Sequence, residues 1–253
     1  MLNIHDLSPW LRRVHDTLIL PRRAEMAQHS FMRAMIAGES EATDAGRFFS
    51  GLMWHLLDFG KHAAHLFAKR PPEVAKLIEG RSEDEDGDTA ILGRIVEVFG
   101  GNPAAIASDP WSFVPHPVWI HHDALLRAAI YSEDLEWQVG TAALNVGIEA
   151  LVPYMVQPLF DASVAKYGVT RDQAAWLASR AGEEEIQHGE NGFLILDHYV
   201  NEADTTLQKK CVFFIDALSR SMAYGLLSSG SPASAGAGAT ADLRLQTGSA
   251  GVQ

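Results

Sequence analysis

Cysteine is nearly absent: the 253 residues include one, Cys211, which excludes an intramolecular disulfide. Cys211 sits in the apolar run CVFFIDAL and reads as a small buried hydrophobe, not a nucleophile. Positive charge is also scarce, with 20 Lys and Arg against 32 Asp and Glu and a net charge of -12. Binding to phosphate backbones or anionic bilayers needs clustered cations, and the one local basic group is Arg12, Arg13, Arg22 and Arg23. No nucleic-acid or membrane partner is therefore expected. No apolar run approaches 18 residues, and the opening MLNIHDLSPWLRR lacks a basic-then-apolar leader pattern, so the expected compartment is the cytoplasm. Period-two alternation bounded by turn dipeptides is missing as well, which leaves an all-α class.

What is present is 47% hydrophobic residues, ample for a sizeable core, arranged in helical periodicities. Ser8 and Pro9 start a short helix to Leu20, and Pro21 starts another that ends at Gly38. A long helix spans about 44–69 and stops at the double proline 71–72. PEVAKLIEG reads as a short helix, SEDEDGD as a solvated loop, and TAILGRIVEVFGG as a short helix. Residues 102–118 carry four prolines and read as an ordered loop before VWIHHDALLRAAIY resumes helix. Three long helices follow, about 135–167, 170–200 and 204–227, the middle one opened by a Thr170-x-x-Gln173 capping box. One helical bundle domain is expected over 1–228. The small, polar, glycine-rich stretch 229–253 is expected to be a disordered tail.

The chemistry centres on EEEIQHGEN at 183–191. Glu185 and His188 are three apart and leave one helix face, the half-site from which helical bundles assemble iron or manganese centres. A charged outer face is the alternative. On the 44–69 helix, His55, Asp58, His62 and His65 fall within an arc of about 80°, flanked by Leu52, Leu56, Phe59, Ala63 and Leu66. Water-satisfied histidines are the alternative there. Glu149 stands in NVGIEALVPYMV, where an ionised carboxylate must be paired or metal-bound. Glu25 lies one helix before the histidine stripe, beside Arg22 and Arg23, so a surface ion pair is the alternative. From Glu25 to His62 is 37 residues and from Glu149 to Glu185 is 36, and His65 or His188 follows three residues later in each half. The repeat suggests six donors, Glu25, His62, His65, Glu149, Glu185 and His188, with His55, Asp58 and Asn145 behind them.

The run HSFMRAMIAGESEATDAGRFFSGLMWHLLDFGKHAAHLFA resembles the opening of the haem-oxygenase-like helical superfamily, which includes thiaminase-II and pyrroloquinoline-quinone-synthase-like proteins. Glu149 and Glu185-x-x-His188 resemble ligands of its non-haem di-iron oxidase branch. That branch carries a further histidine where this chain has Ala181. It also carries a Glu-x6-His motif in the segment that here reads SEDEDGDTAILGRIVEVF. The resemblance implies a haem-oxygenase-like or ferritin-like bundle. It also implies an oxidase or oxygenase that uses one or two iron ions, or manganese, and O2 on a small organic substrate, with a homodimer among the expected assemblies. Two other readings stand beside it: a metal-free binding or cofactorless protein with acid–base histidines, and a ferritin-like ferroxidase.

Overall fold

α1 (Pro9–Val14), a π-helical segment (His15–Ile19) and α2 (Leu20–Gln28) open the chain as one rod. In this computed structural model, which describes residues 2–75, 82–110 and 112–231, Pro21 does not restart the helix. The wider π turn beside it accommodates a residue without an N–H, and the break falls instead at His29. There ψ is 139° and the side chain accepts from the Phe31 N–H. α3 (Ser30–Ala37) and α4 (Ala42–Lys69) follow, the latter as the periodicity predicts.

The acidic loop expected at SEDEDGD is helix: α6 runs Ser82–Val98. Four consecutive acidic residues, Glu83–Asp86, fall at its N-terminus, where the helix dipole favours negative charge. Of PEVAKLIEG, only α5 (Pro72–Ala75) is described. The 102–118 loop contains α7 (Pro103–Ser108), which Asn102 caps by accepting from the Ala105 N–H. α8 is Pro117–Tyr131.

Two of the three long helices foreseen are interrupted. α9 (Trp137–Thr141) passes into a π segment (Ala142–Glu149), then α10 (Val152–Lys166). Pro153, in the first turn of α10, cannot extend a preceding helix. The 170–200 stretch splits into α11 (Ala175–Arg180) and α12 (Glu183–Tyr199), because Gly182 turns extended with ψ 171°. The Thr170–Gln173 capping box does form, by reciprocal bonds of 2.9 and 3.2 Å. α13 (Thr205–Arg220) is capped by Asp204 and ends in a third π segment, Ser221–Leu226. Ser229 is buried and accepts from the Trp119 Nε1–H at 3.0 Å, so the packed body runs past the boundary at 228; the rest of the tail lies outside the described residues.

No strand occurs among the described residues. The main apolar core draws on residues from Leu7 to Leu227, with a small second cluster at Val74 and Ile195. Its centre is the stretch Val139–Leu151, every residue of which is buried, packed between α12 and α13. Trp137–Lys166 is apolar and long enough to cross a membrane, although no apolar run of that length was expected; 89% of its apolar window is buried in the fold, as befits a core helix.

Candidate functional site

The stripe on α4 turns inward toward α8, and His55 and His62 are 4% and 1% exposed. What meets them is Asp123 of α8, a buried carboxylate. Its Oδ1 lies 3.2 Å from His62 Nε2 and 3.6 Å from His55 Nδ1, the second an electrostatic approach and not a hydrogen bond. Its Oδ2 accepts from Arg127 Nε at 2.5 Å. Burial opposes the charge on Asp123, yet the His55, His62 and Arg127 contacts outweigh it and hold the carboxyl well below the ordinary range. The second nitrogen of His62, Nδ1, is 3.0 Å from the Tyr131 hydroxyl, and His65 stacks on the Tyr131 ring. Asp58, expected to orient His62, instead pairs with Lys61 and Arg127 at 2.5 and 2.8 Å near the surface. The register explains this: α4 turns Asp58 toward its own exposed Lys61, and the facing helix supplies the carboxylate that His62 needs.

His122, next to Asp123, is 1% exposed, with Nδ1 3.1 Å from Ser221 Oγ. Its ring centroid is 5.2 Å from that of His55. Burial first, then the neighbouring His55, pushes its pKa well below the ordinary imidazole value, so it stays neutral at pH 7.

Glu149 ends the central π segment. Asn145 donates to its Oε2 at 2.5 Å and accepts from Arg70 at 2.8 Å, while Arg70 Nε donates to Thr141 at 3.1 Å. α12 lies directly against this segment because Gly189 and Gly192 face it. A Cβ at Gly189 would sit 2.7 Å from Ala150 Cα, and one at Gly192 2.5 Å from Asn145 Cβ. That close approach carries Glu185 inward. Glu185 is buried, bonded to Arg180, and has His188 Nδ1 3.3 Å away.

A cavity lies between α4, α8, α10, α11, α12 and two π segments. Its polar lining comprises His55, His122, Glu149, Arg180 and Glu185; Phe59, Trp119, Trp176, Ile148, Met155 and Met222 make much of the rest. Two of the three π segments border it, in line with the tendency of such segments to mark functional sites.

The six donors expected for a metal are thus distributed. Glu149 and Glu185 line the cavity; His62 and His65 belong to the Asp123–Tyr131 group; His188 approaches Glu185. Glu25 pairs with Arg22 at 2.6 Å, on the part of the fold where Arg22 also reaches Asp216. Among the described residues no group of three or more His, Cys, Asp and Glu side chains is arranged to hold a metal ion. A guanidinium on Glu185 is also a poor neighbour for a cation, so these residues do not fit a six-donor centre. Asn145 hydrogen-bonds Glu149. The residues not foreseen are His122, Asp123, Arg180, Trp119 and Trp176. Asp123 left a trace in the sequence, since it follows His121 and His122 and lies four residues before Arg127 in a largely apolar helix.

No protein-family model matches the chain, and no curated protein matches it. Solved structures do. A TenA homolog from Pseudomonas syringae pv. tomato str. DC3000 superposes with a TM-score of 0.77 at 12% identity, over 90% of this chain and 95% of that one. A domain of unknown function with a heme oxygenase-like fold from Shewanella denitrificans OS217 gives 0.68 at 12% identity, over 87% and 91%. A TenA family transcription regulator from Silicibacter sp. TM1040 gives 0.56 at 13% identity, over 88% and 94%. The chain has the all-α, haem-oxygenase-like fold.

Proposed function

We propose that the chain is a small-molecule enzyme working by acid–base chemistry at His55 on a compound held in the cavity. The supporting observation is that His55 lines the cavity while its Nδ1 faces Asp123 at 3.6 Å. That leaves Nε2 for the bound molecule. Nε2 takes a proton from the substrate, the Asp123 carboxylate stabilises the imidazolium that forms, that N–H exchanges with solvent at the mouth of the cavity, and the same atom returns a solvent-derived proton. Burial keeps Asp123 from sharing its charge with water. His122, neutral at pH 7 through burial, does not compete as a cation.

The test is deuterium incorporation into small aromatic carbonyl compounds and heterocycles incubated with the protein in D2O. Wild type is expected to incorporate label and His55→Gln to lose it. Equal rates in the two proteins overturn the reading. A second reading, the iron-dependent oxidase that the resemblance implies, has Glu149 and Glu185 on the wall of the same cavity as His55 and His122, but among the described residues no three such donors are arranged to hold a metal ion. Iron content and O2 consumption of protein expressed in iron-supplemented medium separate the two.

A further inference from the structure

We infer that the compound in this cavity is uncharged and presents a hydrogen-bond acceptor to the indole Nε1–H of Trp176, an inference that rests on the cavity being the substrate site. Trp176 lies on α11, is 3% exposed and lines the cavity, yet its Nε1 is buried with no hydrogen-bond partner. An indole nitrogen can only donate, and buried donors are ordinarily paired. The other indole at this site, Trp119, is already satisfied by Ser229 Oγ at 3.0 Å. Of the two indole donors at the site, the one on Trp176 is therefore left for whatever fills the space.

The charges argue for a neutral partner. Each carboxylate on the cavity wall comes with its own partner: Arg180 and His188 for Glu185, and Asn145, itself held by Arg70, for Glu149. A ligand bringing a net charge would lose its hydration and find these groups already engaged. Phe59, half-buried on the cavity wall, offers ring surface to a flat body. A neutral aromatic compound bearing a carbonyl oxygen or a ring nitrogen meets all three conditions.

The probes are acetophenone, its oxygen-free counterpart ethylbenzene, and the charged benzoate and benzylamine, each titrated into 15N-labelled full-length protein at pH 7. The indole N–H signals of the six tryptophans are followed, with Trp176 assigned by its loss in Trp176→Phe. Acetophenone is expected to move the Trp176 signal downfield and to bind at least about tenfold more tightly than ethylbenzene, the scale of one buried hydrogen bond. It is also expected to bind more tightly than either ion, and Trp176→Phe removes the preference over ethylbenzene. Equal binding of acetophenone and ethylbenzene, tighter binding of an ion, an unmoved indole signal, or no binding by any probe overturns the inference. The same samples in D2O report exchange of the acetophenone methyl protons. An indole shift without exchange leaves this inference standing and removes the acid–base role of His55, and exchange without an indole shift does the reverse.

Discussion

Replacing Asp123 by Asn removes one charge and leaves the shape of the side chain almost unchanged, so it isolates what the carboxylate does. Its contact with His62, which is 1% exposed, is a buried charge-assisted bond of the kind that contributes roughly 1.5–3 kcal/mol. The bond from Arg127 is discounted, because the Arg127 side chain is 45% exposed and exposed pairs contribute about 0.2–1 kcal/mol. The sum is about 2–4 kcal/mol. At about 2–4 °C per kcal/mol for a chain of this size, Tm should fall by roughly 5–15 °C. The control is Asp58→Asn, whose side chain is 39% exposed and whose partners Lys61 and Arg127 are themselves exposed; about 1 kcal/mol or less is expected there. The pH dependence carries a sign. A carboxyl held below its ordinary value in the folded protein stabilises above about pH 4, and that contribution is lost as pH falls further. Thermal unfolding followed by circular dichroism between pH 2.5 and 7 should therefore show a shallower acid decline in Asp123→Asn than in wild type. Equal losses for the two variants, or a loss below about 0.5 kcal/mol for Asp123→Asn, would refute the assignment of Asp123 as the group that orders the histidines.

Three further outcomes are expected. His122 has a folded pKa pushed below the ordinary imidazole value; below about pH 6.5 the unfolded chain binds a proton that the folded one refuses, so stability drops with falling pH. Denaturant titrations at pH 7 and 5 should show a smaller drop for His122→Gln. Gly51→Ala would place a Cβ 2.1 Å from Nε1 of the fully buried Trp119. A cost of about 1–3 kcal/mol in denaturant melts is expected, with a change in Trp119 fluorescence, and an unchanged midpoint would contradict the close contact. Burial pushes the Cys211 thiol up to about 12. Native protein at pH 8 should resist a thiol reagent that labels one group per chain in denaturant, and stability should decline as pH rises past the ordinary thiol range, where only the unfolded chain ionises.

Helical class, the long α4 with its inward histidine stripe, and the burial of Glu149 were legible from the sequence, because apolar periodicity and a lone carboxylate in an apolar run are local signals. Interruption of the helices at 150–151 and 181–182 was not, since a π segment leaves the apolar pattern intact while changing the turn, and a glycine before Glu183 reads equally as helix interior. The site shows the same division. Spacing of 36 and 37 residues could say that Glu25 and Glu149 hold equivalent places in sequence, but not which way each helix rotates. Rotation put Glu25 beside Arg22 and turned Glu149 into a cavity. The partner of a buried histidine is supplied by whichever helix packs against it, here α8 with Asp123, some 61 positions from His62. Helix packing alone decides that choice, because the desolvated imidazole needs a counter-group and only the assembled core determines which carboxylate is within reach.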